Sequence, residues 1–277
     1  MKEAEILKKA ALKGGEILLK YFGKVGYSLK GKANLLTKAD LESQRQVIKI
    51  IKKHFPLDSF LAEEDRENIG EIPLNPPFTK GDGKGDLTSI ATERLWIIDP
   101  LDGTTNYAHG FPMASVSIGF MSDGKMIAGG IFDPFRKELF RAVKNKGAFL
   151  NSRKIKVSKT SRLSEALLVT GFPYDRGNKS KFYCSFYSRF MEMCHDIRRT
   201  GAASIDMAYT ACGRFDGYWE FGLKPWDVSA GKIILEEAGG KMTDFSGKAH
   251  ENVRDYGKET LVTNNRIHAE MLAVLRK

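Results

Sequence analysis

The stretch Trp96-Ile97-Ile98-Asp99-Pro100-Leu101-Asp102-Gly103-Thr104-Thr105 concentrates more chemistry than any other part of this chain. An apolar run delivers Asp99, Pro100 stiffens the turn after it, and Asp102 follows three residues later, just before Gly103. Two carboxylates so spaced can share a metal cluster. They are hard oxygen donors with no His or Cys pair beside them, so they favour Mg²⁺ over Zn²⁺, and Mg²⁺ tends to keep waters and to accept phosphate oxygens as ligands. Gly103 lets the backbone come close to a ligand, and the amides after it can bind phosphate if they open a helix. Alone, the string also reads as an ordinary turn with Asp99 as a helix cap.

Three further acidic positions bear on that choice. "SFLAEE" ends an apolar strand on Glu63 and Glu64, and adjacent strand residues face opposite ways, so one of the two is expected to reach a shared crevice. Asp227, in "PWDVSAGKIILEEAGG", stands at a predicted helix start, where it could cap the helix, contribute a carboxylate to a site, or do both. Asp40, in "TKAD", has the same double reading.

The elements that must position these residues follow from periodicity. Ala4, Leu7, Ala11, Leu18 and Phe22 predict an amphipathic first helix, and Leu41, Ile48, Ile51 and Phe55 a second from about Asp40 to His54, stopped by Pro56. "SFLAEE" and "RLWIIDP" read as buried strands that carry acids to their ends. From Ala114 to Lys156, alternating segments broken by turns predict an antiparallel meander. Helices near Ser180 to Cys194, Ala202 to Cys212 and from about Asp227 to Gly239 follow, with strands at "ALLVTGFP", "DGYWEF" and "TLVTNN". The Pro, Gly and charge-rich stretch from Arg66 to Glu93 has no periodicity and is expected to be a mobile surface loop.

With 277 residues and 42% hydrophobic composition, the chain can bury a substantial core. No apolar run is long enough to suggest a membrane span, and the charged N-terminus reads as soluble and unprocessed. Cys184, Cys194 and Cys212 lack metal or disulfide spacing and read as reduced core thiols, which favours the cytoplasm. The formal charge of +10 permits a polyanionic partner, but the lysines look scattered and no basic stripe interleaved with aromatics accompanies them. An anionic small substrate fits the same charge.

Taken together, "WIIDPLDGTTNY", "WDVSAGKIILEEAGG" and "LAEED", with "FPMASVSIGF", "NKGAFLN" and "LVTNNR", make the sequence resemble the inositol monophosphatase family of magnesium-dependent, lithium-sensitive phosphatases over nearly its whole length. The resemblance implies a mixed α/β fold (α+β), a layered α-β-α-β-α sandwich of the sugar-phosphatase type, as one catalytic domain over 1–277 and a homodimer. It implies Mg²⁺ as cofactor, two or three ions, with Glu63, Asp99 and the carbonyl of Leu101 on one and Asp99, Asp102 and Asp227 on a second. It implies direct attack by water without a phosphoenzyme, Thr104 and Glu63 orienting or deprotonating that water, and Asp40 positioning Thr104. Substrate contacts would come from Glu63, Leu101, Asp102, Gly103, Thr104, Ala202, Glu220 and Asp227. The implied reaction is hydrolysis of inositol 1-phosphate, with fructose 1,6-bisphosphate or another sugar phosphate as the alternative. Outside catalysis, the resemblance allows a protein that contacts the transcription machinery or RNA. Glu220 also reads as an exposed strand residue, and Gly201-Ala202-Ala203 as a tight helix-start turn.

Two departures from the family stand out. Position 202 is Ala, where a hydroxyl-bearing residue is common, and 36 positions separate Glu63 from Asp99, the excess forming an apparent insertion at about 68–93. Loop-closure entropy grows slowly with length, so the insertion is expected to be tolerated. Deleting residues 73–86 should leave phosphatase turnover within severalfold of the parent; inactivity of a folded deletion variant would show that the segment serves the site.

Overall fold

In the computed structural model, residues 1–24, 26–29, 35–64 and 93–276 are described. The stretch from Arg66 to Thr92, with the expected loop and most of the apparent insertion, lies outside them.

The N-terminal helix α1 (Lys2–Tyr21) packs against α2 (Lys38–His54) through the apolar stripes that the 3.6-residue period predicts. The short strands β1 (Tyr27–Leu29) and β2 (Leu35–Thr37) pair antiparallel between them. Helix α2 starts two residues before Asp40, because Thr37 caps it. The Thr37 hydroxyl accepts from the Ala39 amide at 3.1 Å, and the Asp40 carboxylate accepts from the Thr37 amide at 2.7 Å.

The larger sheet has seven strands in sequence order: β3 (Ser59–Ala62), β4 (Arg94–Asp102), β5 (Ser115–Ser122), β6 (Lys125–Asp133), β7 (Glu138–Val143), β8 (Gly147–Leu150) and β9 (Arg153–Lys154). From β4 onward it is the expected antiparallel meander, whereas β3 and β4 run parallel, so both finish at the same sheet edge with their acids. A smaller sheet takes the order β11-β10-β12-β14-β13, from β10 (Leu167–Thr170), β11 (Asp196–Arg198), β12 (Gly217–Phe221), β13 (Lys241–Thr243) and β14 (Glu259–Thr263). The one-turn helix α3 (Thr104–Ala108) follows β4 directly.

Five layers result. Helices α1 and α2 cover one face of the large sheet. Between the sheets lie α5 (Ala203–Ala211) and α6 (Pro225–Glu237), whose Ile205, Met207, Val228, Ile233 and Ile234 form the central core with Leu95, Ile97 and Tyr218. Helices α4 (Arg176–Met191) and α7 (His268–Leu275) close the outer face of the small sheet over Phe190, Trp219, Leu261 and Met271. This is the expected alternation of helices and sheets. The helical segments begin earlier than periodicity alone suggests, α4 at Arg176 and α6 at Pro225, since first-turn residues need not be apolar. The cysteines are free, but none is a core residue: Cys184 is exposed and Cys194 and Cys212 are half-buried. No helix among the described residues is long and apolar enough to cross a membrane.

One buried histidine couples the small sheet to pH. His268 Nδ1 lies 2.9 Å from the Thr263 hydroxyl and Nε2 3.1 Å from the Thr243 hydroxyl, and burial holds its pKa down at about 4. Below its ordinary value near 6.5, the unfolded chain takes up a proton that the folded chain refuses until about 4, so this contribution to stability is lost as pH falls through that window. A His268→Phe variant should show a flatter fall of the urea midpoint between those pH values than the parent; identical pH dependence of the two proteins would count against this assignment.

Candidate active site

The ends of β3 and β4, the start of α5, the end of β12 and the start of α6 converge on a cavity of about 280 Å³. Glu63, Asp99, Leu101, Asp102, Gly103, Thr104, Glu220 and Asp227 all line it, so residues from both sheets and from three separate sequence motifs meet there.

Strand β4 carries both central aspartates. It runs on through Pro100 to Asp102 with an irregularity in its pairing between Asp99 and Asp102, where a turn was expected. That irregularity brings both side chains to the cavity, since a regular strand would send residues an odd number apart to opposite faces. Asp99 Oδ1 accepts from the Leu101 amide at 3.0 Å, which makes a local loop of the motif. Gly103 then takes a left-handed φ of 84°, and a Cβ there would stand 2.8 Å from the Met113 carbonyl oxygen. No other residue type fits that junction comfortably.

The four acids are handled differently. Asp102 lies at the N-terminus of α5 and accepts from the Ala203 amide at 3.2 Å, the Ser204 amide at 2.8 Å and the Ser204 hydroxyl at 2.6 Å. Burial raises its pKa and these bonds oppose the rise. Asp99 is pushed well above the usual carboxylate range by burial and then by the charges of Glu63, Asp102 and Asp227. Asp227 is raised too, by desolvation in the cavity and then by Glu63. It is the third residue of α6, not its first, and its Oδ2 accepts from the Lys224 amide at 2.6 Å. It therefore stabilises the helix start and lines the cavity together. Glu63 faces the cavity, while the neighbouring Glu64 turns into the protein, its amide donating to Gln44 Oε1 at 3.0 Å.

Among the described residues no three His, Cys, Asp or Glu side chains stand in a ready-made metal-ligand cluster. Asp99, Asp102 and Asp227 each turn an oxygen to a backbone amide instead. The donor chemistry nevertheless fits Mg²⁺: oxygen ligands only, desolvated, and so crowded with like charge that Asp99 and Asp227 resist ionisation until a cation compensates them.

Thr104 donates to the Leu101 carbonyl at 2.9 Å and lies 3.5 Å from Asp40 Oδ1, a long contact. Asp40 is wholly buried behind the cavity, where Thr37 donates its hydroxyl to Oδ2 at 2.6 Å. Ala202 is buried at the base of α5 against Gly103, and it is Gly201 and Ala203 that reach the cavity wall. Glu220 is buried, not an exposed strand residue. Tyr218 donates to its Oε2 at 2.5 Å, and desolvation takes its pKa to about 7.

Several contributors escape a reading by motif. Arg176, Arg199 and Lys224 stand at the cavity mouth, exposed in the surrounding protein surface. Asp206 is buried in α5 near Glu220, with the Thr200 hydroxyl donating to its Oδ1. A carboxylate in the otherwise small and apolar "AASIDMAYTA" is the signal that marks it.

A family model described as "Inositol monophosphatase family" matches residues 2–277. The chain belongs to the inositol monophosphatase family. Among its relatives, the inositol-1-monophosphatase of Synechocystis sp. is 39% identical over 276 residues, which cover 98% of this chain and 88% of that protein. The Nus factor SuhB of Escherichia coli is 34% identical over 242 residues, 86% of this chain and 84% of that protein. The solved structure of the inositol monophosphatase from Anabaena (Nostoc) sp. matches with a TM-score of 0.82 at 40% identity, covering 99% of this chain and 95% of that one. The protein is a phosphoric monoester hydrolase of a magnesium-dependent family.

Gly171 sets a steric condition on the far end of the cavity. A Cβ there would overlap all three carboxylate atoms of Glu220. Gly171→Ala should displace Glu220 and raise KM about tenfold or more with a smaller change in kcat, measured by initial rates at saturating Mg²⁺. An unchanged KM would separate Glu220 from substrate binding.

Proposed function

We propose that this phosphatase hydrolyses inositol 1-phosphate to inositol and phosphate. Glu220 is the observation that carries the reading: a buried carboxylate, braced by Tyr218, that lines from the small sheet the same cavity that Asp99 lines from the large one. Such a group accepts hydrogen bonds from the hydroxyls of a neutral ring.

Glu63, Asp99 and the Leu101 carbonyl would hold one ion, and Asp99, Asp102 and Asp227 another. Bound Mg²⁺ would supply Lewis-acid polarisation of the phosphoryl group and activation of water. The chain's own groups do the positioning. Thr104, fixed by its bond to the Leu101 carbonyl, would orient the attacking water, and Glu63 would accept its proton. Asp40, held by the Thr37 hydroxyl on Oδ2, would position Thr104 directly through the long contact at Oδ1.

A second reading, fructose 1,6-bisphosphate, draws on Arg176, Arg199 and Lys224 at the mouth, which could meet a second phosphate. A panel of phosphate esters assayed with Mg²⁺ separates the two: inositol 1-phosphate should give the highest kcat/KM, and a bisphosphate ranked far above it would replace the first reading by the second. Asp99→Asn should lower turnover of every ester by about a thousandfold or more while leaving the melting transition in place. Retained turnover would exclude the proposed site.

A further inference from the structure

The far corner of the large sheet takes no part in the cavity. From Leu139 to Ser164 the chain carries eight Lys and Arg residues and no Asp or Glu. Strand register gathers part of this charge. Arg141 on β7 pairs with Phe149 on β8, and Phe149 with Lys154 on β9, so the three side chains form a row across the sheet. The Arg141 guanidinium lies over the Phe149 ring, 5.1 Å from its centroid. Lys154 leans off the row along β8: a Cβ on Gly147 would be 3.3 Å from its Nζ, which places the ammonium beside the turn that bears Lys144 and Lys146. Lys156, two residues on from Lys154, is exposed as well.

Among the described residues these cations have no acidic counterpart. No ion pair among the described residues involves them, and the acid that touches the turn, Glu237, is occupied in accepting from the Asn145 and Gly147 amides, both at 2.7 Å. The alternate residues Phe140, Ala142 and Ala148 point into the central core, so the Arg141–Phe149–Lys154 row faces the other way. On that side α1 packs on β5 and β6, short of β8, whose main helical neighbour is α6 on the opposite face. Protection of a sheet edge accounts for a lysine on β9, but not for Arg141 two strands inward or for Lys144 and Lys146 on a turn.

We propose that this face of β7–β9 binds single-stranded nucleic acid, with Lys144, Lys146, Lys154 and Lys156 on successive phosphates and a base stacked at Phe149 beside Arg141. A flat sheet face with one half-buried aromatic among unpaired cations suits a flexible strand, in which bases are free to stack. It offers no projecting helix or ribbon for a duplex major groove. An acidic protein would use the charge and leave the ring idle. The surface lies about 20 Å from the acidic cavity, four strand spacings along the sheet from β4 to β8, and does not rest on the phosphatase reading.

Fluorescence anisotropy of a labelled single-stranded RNA of roughly 12 nucleotides, titrated with the full chain between about 50 and 200 mM salt, tests the surface. The parent should bind, with log K falling linearly against log salt. Lys144→Glu/Lys146→Glu/Lys154→Glu should weaken binding at least about tenfold and reduce the salt slope by about 2, with phosphatase turnover unchanged. Phe149→Ala should weaken binding by about five- to hundredfold without altering the slope. A charge-matched control on other faces, Lys49→Glu/Lys53→Glu/Lys181→Glu, should bind close to the parent. Absence of binding by the parent at low salt, equal loss in the two charge-reversed proteins, or parental affinity of Phe149→Ala each overturns the proposal, as does equal affinity for polyglutamate. Ultraviolet crosslinking of RNA to the parent protein tests it without any substitution: crosslinked peptides should fall within residues 139–156, and crosslinks confined elsewhere refute it.

Discussion

Crowding carboxylates into one desolvated cavity is the constraint to which the rest of this protein answers. Asp99 and Asp227 stand where burial and mutual charge disfavour ionisation, and Asp102 stands where burial does the same and helix-start hydrogen bonds resist it. Such an arrangement is costly unless backbone dipoles and a cation offset it. The fold supplies the dipoles. Amides of Leu101, Ala203, Ser204 and Lys224 meet the three aspartates, and two of the three groups stand at the starts of helices, Ala203 and Ser204 in the first turn of α5 and Lys224 as the N-cap of α6. The cation is left to the family's chemistry, for which the all-oxygen donor set is suited.

That solution explains the layering. Helices α5 and α6 lie between the two sheets, so their N-termini can face β4 of the large sheet while Glu220 approaches on β12 of the small one. On the proposed reading, the phosphate lies against the large sheet and the intervening helices, and the ring against the small sheet. Two absent side chains keep the ends in register: Gly103 lets β4 turn into α3 beneath Met113, and Gly171 leaves room for the Glu220 carboxylate. The inositol reading and the bisphosphate reading differ only at the second end and the mouth, so they share the same acids.

The charge of the chain is distributed against this acidic interior. A net charge of +10 coexists with a cavity whose lining includes Glu63, Asp99, Asp102, Glu220 and Asp227, so most of the cations lie outside it. Arg176, Arg199 and Lys224 rim the mouth, where they favour entry of an anionic ester. A further group sits at the β7–β9 corner, where the meander continues past the strands that α1 covers. Cations that look scattered along the chain come together there because pairing joins Arg141 to Phe149 and Phe149 to Lys154.

Much was legible beforehand. The acids of the site were visible because metal-binding chemistry needs particular residue types at short spacings, and "DPLDGTT" holds both central aspartates, the flexible glycine and the threonine within seven residues. Helices α1 and α2 and the meander were visible because burial on one face imposes a period. What the sequence alone determined was therefore the acids of the candidate site and the kinds of elements that carry them. Tertiary structure decided which of two neighbouring glutamates enters the cavity, that Ala202 lies under Gly103 and not on the wall, that Asp40 meets Thr104 only at long range, and that Glu220 is buried with Asp206 behind it. Those outcomes depend on contacts between residues tens of positions apart. Local spacing encodes which groups are near along the chain, and only packing and strand register determine which are near in space.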